Sequence, residues 1–228
     1  MKKSMKRMFA MAMSLALAVS SVGAALAYEA PAAEAEAPAV MGKFDGLPYT
    51  DVHIYDWFYG AVKYTTDRGI FKGVSETKFA PHMKLTRGMM VQTLYAMAGK
   101  PEVEHTVKFD DVAEDAWYAD AVAWANKYDI AVGYGNGKFG AEDNITRAQM
   151  AVMVWGYAGK AAADGEGLAG FVDAEEVADW AKDAINWAVE KGLLSGIVIP
   201  GGNLIMAPQT TATRAEAAVM LSHLELTT

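Results

Sequence analysis

Residues 144–159 read NITRAQMAVMVWGYAG, a polar turn followed by the apolar spacing of an amphipathic helix. Similar stretches recur as KLTRGMMVQTLYAMAG at residues 84–99 and TATRAEAAVMLSHL at residues 211–224. In each, the threonine of a Thr-Arg pair is suited to cap the helix by accepting a hydrogen bond from its first turn. The arginine then takes the first helical position, where the helix dipole disfavours a cation. The repeated arginines Arg87, Arg147 and Arg214 therefore need an explanation.

The repetition extends beyond these helices. Three units open with YTDV at residues 49–52, FDDV at 109–112 and FVDA at 171–174, and equivalent positions lie 60 to 67 residues apart. A tryptophan, a glycine and the arginine follow each opening in the same order: Trp57, Trp117 and Trp180; Gly73, Gly133 and Gly196; Arg87, Arg147 and Arg214. Such a repeat decides the architecture before any single motif does.

Each unit is predicted to form two helices joined by a Gly-rich turn. The first helix carries two aromatic residues seven apart on one face (Trp57 and Tyr64, Trp117 and Trp124, Trp180 and Trp187), and we interpret the tryptophans mainly as core, about one in three having a face at a groove. Gly69 and Gly192 are suited to a left-handed helix end, and Asp129 takes that place in the second unit. The fold class is therefore all-α, with three helix-loop-helix repeats.

The starts of the second helices differ among the units. Glu216 and Gln149 can complete capping boxes with Thr213 and Thr146, whereas Met89 cannot do so with Thr86. The third connection, IVIPGGNLIM at residues 197–206, is part of a loop four residues longer than its equivalents, and we expect it to cover or reshape the surface beside it.

The N-terminal segment is predicted to be a secretory signal. Residues 1–27 comprise a basic start, an apolar run too short for an ordinary membrane span and a small-residue ending, ALA. Residues 28–43 are rich in Ala, Glu and Pro and are predicted to be a flexible spacer. The three units then occupy residues 44–103, 104–163 and 164–228, here called modules 1, 2 and 3, which leaves no room for a catalytic domain within this sequence.

Composition excludes several classes of protein. The chain has 20 basic and 28 acidic residues, so removal of four leader cations leaves a net charge of 16 − 28 = −12, which argues against nucleic acid or an anionic membrane as the main partner. The absence of cysteine excludes disulfides and thiolate chemistry. We expect an exported, soluble protein stabilised by packing.

Two interpretations of the arginines remain open. A guanidinium beside free backbone N–H groups forms a good site for a carboxylate or phosphate. Alternatively, the arginines pair with acidic side chains of the neighbouring module. In either case we expect them to project outward, so that the triple Arg→Ala variant stays folded.

The ordered pattern F-x-D-V, W, a helix end, F-x-P and T-R-A-E resembles the S-layer homology domain, in three consecutive copies over about 185 residues. The resemblance implies a non-catalytic cell-wall anchor with a pseudo-threefold helical assembly. It also implies binding of a secondary cell-wall polymer, often bearing ketal-linked pyruvate, in grooves between modules. The implied binding residues are Arg87, Arg147 and Arg214, Gly73, Gly133 and Gly196, and Trp57, Trp117 and Trp180.

The copies depart from the family pattern at several points: TRGM in module 1, DIAVG in module 2 and the long loop in module 3. Members of the family normally carry a large exported cargo domain, so we expect a small surface-layer protein or one that acts through a partner. We further expect the site of Arg87 to bind more strongly than that of Arg147. The reason is that Lys72, Val132 and Ser195 precede the three glycines, and lysine would add a second cation and serine a hydrogen bond. The alternative is that Lys72 and Arg87 serve different pockets, since the grooves form between modules.

Other chemistries are weakly supported. The four histidines lack metal-ligand spacing, and DGEGLAGFVDAE at residues 164–175 departs from a calcium loop at its fifth and sixth positions, so it is interpreted as a linker. Asp51, Asp111 and Asp173 precede the first helix and are interpreted as local caps and turn formers rather than as catalytic acids or bases. No nucleophile or paired-carboxylate pattern is present, so neither an enzyme nor a cofactor or metal site is expected.

Two functions remain. The first is a wall anchor, secreted to the cell wall or S-layer surface of a bacterium, that binds a secondary cell-wall polysaccharide or peptidoglycan-linked glycan. The second is a structural S-layer or partner-binding protein whose grooves hold no glycan.

Overall fold

The computed structural model describes residues 46–105 and 109–227. The predicted signal (1–27) and spacer (28–43) lie outside the described residues. The described chain is mostly helical and contains six α-helices, two in each module, as predicted. They are α1 Tyr59–Asp67, α2 Arg87–Met97, α3 Ala119–Lys127, α4 Arg147–Tyr157, α5 Asp179–Glu190 and α6 Arg214–Thr227, with a short 3-10 helix at Ala174–Glu176.

The long loop of module 3 contains a small hairpin that the all-α prediction missed. Strands β1 (Ile197–Val198) and β2 (Leu204–Ile205) are antiparallel, with Ile197 opposite Ile205 and Val198 opposite Leu204. The turn between them contains Gly201 and Gly202 at φ of 99° and 83°, a left-handed conformation that glycine adopts without strain. The four additional residues are therefore ordered as a hairpin.

The second helices begin where the sequence predicts. The three cap threonines accept a hydrogen bond from the backbone N–H three residues later: Thr86 from Met89 at 3.2 Å, Thr146 from Gln149 at 3.2 Å and Thr213 from Glu216 at 3.3 Å. Both predicted capping boxes are present, because Gln149 and Glu216 accept hydrogen bonds from the N–H groups of their cap residues. Module 1 has only half of this arrangement.

The first helices end in the left-handed turn that was predicted. Gly69 and Gly192 have φ of 67° and 66°, and Asp129 adopts φ of 57° at the equivalent place. Such a turn terminates a helix by directing the chain away from its axis. This left-handed conformation is strained for Asp129, whereas glycine adopts it without strain.

Each first helix packs against the second helix of another module. Helix α2 packs against α3, α4 against α5, and α6 returns to α1. A single apolar core contains residues of all three modules, including the fully buried Phe79, Phe139 and Met206. The helix packing therefore runs from module 1 to 2, from 2 to 3 and from 3 back to 1.

Backbone hydrogen bonds follow the same cycle just before the second helices. Leu85 N–H donates to Ala212, Ala212 N–H to Ile145, and Ile145 N–H to Leu85, at 3.0, 2.9 and 2.8 Å. All three residues are fully buried. The backbone N–H and C=O groups of these three residues thus bond to residues of the other two modules, and not to their own module.

The aspartates of the unit openings (Asp51, Asp111 and Asp173) clamp the loop before the second helix. Their carboxylates each accept two backbone N–H bonds, from Phe79 and Ala80, from Phe139 and Gly140, and from Met206 and Ala207, at 2.7–2.9 Å. The second donor has a positive φ in every case, 57°, 74° and 50°. These aspartates do hold turns, but the expectation that they act as local caps and turn formers is wrong, because each turn lies about 30 residues further along the chain.

We expect Asp51→Asn to lower the free energy of unfolding at pH 7 by about 1–2 kcal/mol, since solvent reaches part of this carboxylate. Burial by itself raises the pKa of Asp51. The hydrogen bonds from the N–H groups of Phe79 and Ala80 lower it by more, so the net effect is a pKa below the ordinary value of 3.8. A carboxylate with a depressed folded pKa stabilises above its unfolded pKa and loses that contribution as the pH falls.

The difference in the free energy of unfolding between wild type and Asp51→Asn should therefore become smaller below about pH 4. Urea unfolding at pH 7 and pH 3 measures it, with Asp115→Asn, an exposed aspartate before α3, as the control. A difference that persists unchanged at pH 3 would contradict the assignment of the effect to the ionised carboxylate.

Candidate functional site

The three repeated arginines are buried, contrary to the prediction that they project outward. Arg87, Arg147 and Arg214 are 4%, 4% and 5% exposed. They do begin the second helices, as predicted. The burial arises because the loop of the next module covers each helix start, which a view of one module by itself does not reveal.

Each guanidinium holds two backbone carbonyls of the next module. Arg87 donates through Nε to the Phe139 carbonyl at 3.1 Å and through Nη2 to the Val132 carbonyl at 2.8 Å. The planar fork of arginine suits two acceptors in fixed positions. The other two repeat the arrangement: Arg147 with Met206 and Ser195 at 2.9 and 2.7 Å, and Arg214 with Phe79 and Lys72 at 2.8 and 2.6 Å.

We call these three inter-module contacts the Arg87, Arg147 and Arg214 grooves. They place Lys72 beside Arg214, Ser195 beside Arg147 and Val132 beside Arg87. The reason given for a stronger Arg87 site, that Lys72 accompanies it, is therefore wrong. The error arose from pairing residues within a module, whereas the fold pairs them across modules. The ranking of Arg87 over Arg147 itself stays a prediction.

Aromatic rings of the next module cover two of the guanidiniums. The Arg87 guanidinium lies 4.8 Å from the ring of Tyr134 and 4.9 Å from that of Phe139. That of Arg214 lies 4.5 and 4.7 Å from the rings of Phe71 and Phe79. Such cation–π contacts partly offset the desolvation of the cation. Tyr134 was not identified from the sequence, because the other modules have Val74 and Ile197 in its place.

The buried arginines remain cationic at neutral pH. Burial lowers the pKa of the Arg87 guanidinium and lowers that of Arg214 to about 10. The guanidinium of arginine does not deprotonate in proteins at neutral pH, so each groove holds a positive charge in a desolvated setting. Such a charge attracts an anion more strongly than a fully hydrated one does.

Arg147 differs from the other two in having a carboxylate partner. Its Nη1 donates to Glu216 Oε1 at 2.8 Å, so the alternative interpretation, pairing with an acid of the next module, holds for this arginine. Within residues 46–105 and 109–227, Arg87 and Arg214 form no ion pair. The only buried side-chain N or O atom without a partner in that part of the chain is Trp187 Nε1, so the Nη1 groups of Arg87 and Arg214 reach solvent.

The glycines before the loops are explained by close packing. A Cβ atom at Gly73, Gly133 or Gly196 would lie 2.4, 2.7 or 2.3 Å from the ring of Tyr49, Phe109 or Phe171, the aromatic residue that opens the same unit. Glycine lets that ring lie against the loop, and Gly73 N–H also donates to the Tyr49 hydroxyl at 2.8 Å. A ligand-binding role for these glycines stays a prediction.

The repeated tryptophans are exposed, so the interpretation of them mainly as core is wrong. Trp57, Trp117 and Trp180 are 43%, 58% and 56% exposed, whereas Trp124 and Trp187 are buried. Trp57 and Trp117 precede their helices and contact the adjacent Phe58 and Tyr118 edge-on. Of the second aromatics of the pairs, Trp124 and Trp187 are therefore core residues, whereas Tyr64 is only partly buried.

Two surface clefts lie elsewhere, the first within module 2 and the second at the junction of modules 1 and 2. One of about 250 Å³ is lined by residues including His105, Phe109 and Glu114, and one of about 750 Å³ by residues including Tyr95 and Asp120. None of the predicted site residues lines either cleft.

The segment that partly resembles a calcium loop is held by a side chain. Glu190 accepts N–H bonds from Asp164, Gly165 and Glu166 at 2.8, 2.9 and 3.3 Å. In the described part of the chain, no three His, Cys, Asp or Glu side chains gather as a metal site would require.

Also among those residues, no helix has the length and apolar character needed to cross a membrane.

Comparison with protein families supports what the repeat predicts. The model of the S-layer homology domain matches three consecutive stretches, residues 48–89, 108–151 and 170–218. These matches cover more than half of the chain and include all three arginines.

Characterised relatives are much longer proteins. The chain is 32% identical over 165 residues to the Surface-layer 125 kDa protein of Lysinibacillus sphaericus, covering 72% of this chain and 14% of that protein. It is 30% identical over 182 residues to the S-layer protein sap of Bacillus anthracis (78% and 21%) and 27% identical over 189 residues to Exoglucanase XynX of Acetivibrio thermocellus (80% and 17%). The chain thus spans less than a quarter of each of these relatives.

Proposed function

The chain belongs to the S-layer homology domain family, and on that premise we propose that it anchors to the cell wall by binding an anionic glycan in the arginine grooves. Membership implies a role at the cell surface and association with the cell wall. The glycan we propose is a secondary cell-wall polymer with a carboxylate substituent, such as ketal-linked pyruvate.

The observation that carries this proposal is a buried, permanently charged guanidinium at the same place in every module. Two loop carbonyls hold each one in a fixed orientation. The solvent-facing Nη1 of Arg87 and Arg214 is then free to donate to a carboxylate. A charge-assisted hydrogen bond from a preorganised donor is stronger than one from a mobile surface side chain.

The exposed tryptophans support a carbohydrate as the ligand. Trp57, Trp117 and Trp180 present apolar rings to solvent at one repeated position. An indole offers an apolar face with a polar edge, which suits the alternating apolar and hydroxyl surfaces of a sugar. We propose that they lie along the path of the polymer while the arginines hold its acid groups.

The cyclic order of the helix packing and of the backbone bonds supports a pseudo-threefold arrangement of the modules. In that arrangement the three grooves share the same arginine-carbonyl contacts, while their side chains differ and the hairpin of module 3 adds backbone only beside the Arg147 groove. A polymer with repeated acid groups could then occupy more than one groove and gain avidity.

We also propose that the chain has no catalytic activity of its own, since the S-layer homology domain is a non-catalytic anchoring module. The name of the exoglucanase relative describes a protein of which this chain matches 17%. That name therefore carries no activity over to this chain.

Sedimentation with purified wall sacculi tests the proposed function. We expect the protein to pellet with sacculi, and to remain in the supernatant once the secondary polymer has been removed chemically. Raised salt should weaken the binding only in part, because a contact inside a groove is screened less than a surface attraction. Equal sedimentation with stripped sacculi would favour the structural or partner-binding alternative.

The tryptophans provide the variant for the same assay. The triple variant Trp57→Ala, Trp117→Ala and Trp180→Ala should stay folded and bind sacculi at least about tenfold more weakly, since each aromatic contact contributes about 0.5–1.5 kcal/mol. Tyr55→Ala is the matched control, because Tyr55 is 93% exposed and has no aromatic counterpart in the other modules. Full binding by a folded triple variant would contradict the role of the tryptophans.

A further inference from the structure

The third residue of the second helix of module 3 contacts the arginine of the preceding module. In module 3 this residue is Glu216, whose Oε1 accepts from Arg147 Nη1 at 2.8 Å while its Oε2 accepts from Thr213 N–H at 2.7 Å. The carboxylate is therefore held from both sides. It occupies the edge of the guanidinium that an incoming anion would need.

The same relation holds at the other grooves, since their backbone contacts match. Next to Arg147, its own N–H and that of Ala148 donate to the carbonyls of Thr210 and Pro208. Next to Arg214 and Arg87 the equivalent acceptors are Met83 and Pro81, and Asp143 and Ala141, at 2.8–3.0 Å. The residue in the place of Glu216 is therefore Gln149 in the Arg87 groove and Met89 in the Arg214 groove.

The Arg87 groove contains a different acid nearby. Tyr134, whose ring covers the Arg87 guanidinium, donates its hydroxyl to Asp143 Oδ2 at 3.0 Å. The negative charge of Asp143 acts on Arg87 and opposes the lowering of its pKa by burial. An anion approaching Arg87 thus meets a tyrosine ring and a neighbouring carboxylate.

The Arg214 groove lacks both of these acids. At the place of Glu216 it has Met89, and at the place of Asp143 it has Met83. Its loop carries Lys72, an exposed lysine whose carbonyl holds Arg214 Nη2. Asp51 acts on Arg214 as Asp111 acts on Arg87, so this clamp aspartate does not distinguish the two.

We propose that Glu216 acts as an internal competitor that closes the Arg147 groove to anions, and that the Arg214 groove, with Lys72, is the principal anion site of the protein. This inference rests on the proposed function. The anion affinity is then highest in the Arg214 groove, lower in the Arg87 groove and lowest in the Arg147 groove. Whether a groove is open depends on the residue that lies two positions after the arginine of the next module.

Reciprocal exchanges at this position test the proposal. Met89→Glu places a carboxylate where module 3 has one, and Thr86 can accept it into a capping box, so the variant should be at least as stable as wild type. Glu216→Gln reproduces Gln149, which caps module 2, and so keeps the helix start. Met89→Gln is the matched neutral control.

The readout is calorimetric titration with a methyl glycoside that carries a pyruvate ketal, alongside its methyl ester. We expect Met89→Glu to weaken binding of the acid by at least about tenfold, Met89→Gln by less than about threefold, and Glu216→Gln to raise the number of sites. The ester should bind none of the proteins measurably.

Failure of the inference and failure of the proposed function give different results. If wild type binds the acid and Met89→Glu binds it equally well, the proposed principal site is wrong while the anchoring function stands. If Glu216→Gln gains no site, the role of Glu216 as a competitor is wrong. If wild type binds neither acid nor ester, the anionic-glycan function is overturned, and this inference with it.

Discussion

A chain that ends at Gly159, and so lacks module 3, will show no cooperative thermal unfolding, and the single-module fragment Phe109–Gly159 will show none either. In the intact protein α1 packs against α6, and α4 packs against α5. Without module 3, two of the four remaining helices lose their partners and an apolar face is exposed to water. A two-helix unit of this size buries too little surface to compensate.

The backbone loses partners as well. The carbonyls of Lys72 and Phe79 lose the Arg214 guanidinium, and Leu85 N–H loses the Ala212 carbonyl. Because water can replace partners that are removed together with module 3, each loss costs the net contribution of one hydrogen bond, about 0.5–1.5 kcal/mol. These losses add to the lost apolar burial, against a total stability of about 5–15 kcal/mol for a small domain.

Circular dichroism melts and hydrogen exchange measure this effect, with residues 46–227 as the reference. A second control shortens the hairpin turn of module 3 by replacing residues 199–202 with Asn-Gly, which lies outside the cycle of inter-module contacts. We expect that variant to melt cooperatively. A sharp transition in the fragment that ends at Gly159 would show that two modules suffice and that the cycle is not required.

Replacement of the three arginines by alanine will unfold the protein, which reverses the expectation drawn from the sequence. Each arginine is at least 95% buried and satisfies two carbonyls of the next module. Loss of one of these arginine side chains lowers the free energy of unfolding by about 3–5 kcal/mol, because its two carbonyl partners remain buried without a donor. Three losses sum to about 9–15 kcal/mol, comparable to the whole stability of a domain, about 5–15 kcal/mol.

Single variants make this prediction measurable. We expect Arg214→Ala to lower the free energy of unfolding by about 3–5 kcal/mol, and Arg214→Lys by less, since lysine keeps the charge but not the planar fork that reaches two carbonyls. Arg68→Ala is the control: Arg68 is exposed over the ring of Tyr64, a contact worth about 0.5–1 kcal/mol. A folded triple variant with wild-type stability would disprove the structural role.

This result also decides how wall binding should be studied. Loss of binding in an Arg→Ala variant would not separate a ligand contact from unfolding. Variants at Met89, Glu216 and the exposed tryptophans leave the arginine-carbonyl contacts in place, because those contacts use the backbone of the facing loop.

The features that the sequence predicted correctly are set by neighbours within a few residues. The cap of Thr146 by its third successor, the left-handed residues Gly69 and Asp129, and the two helices of each module depend on local backbone geometry. The order of motifs likewise identified the family, because it requires no knowledge of which parts touch. Even the strained choice of Asp129 was visible, since a non-glycine residue at a helix end must adopt the same positive φ.

The features that were missed depend on which module meets which. Arg87 and Val132 lie 45 residues apart, and Arg214 and Lys72 lie 142 apart. A repeat contains three similar loops for every arginine, so its spacing is equally compatible with pairing inside a module or between modules. Packing settles the choice: each first helix buries its apolar face against a second helix of another module. That exchange buries the arginines, leaves Trp57, Trp117 and Trp180 at the surface, and moves Lys72 from Arg87 to Arg214.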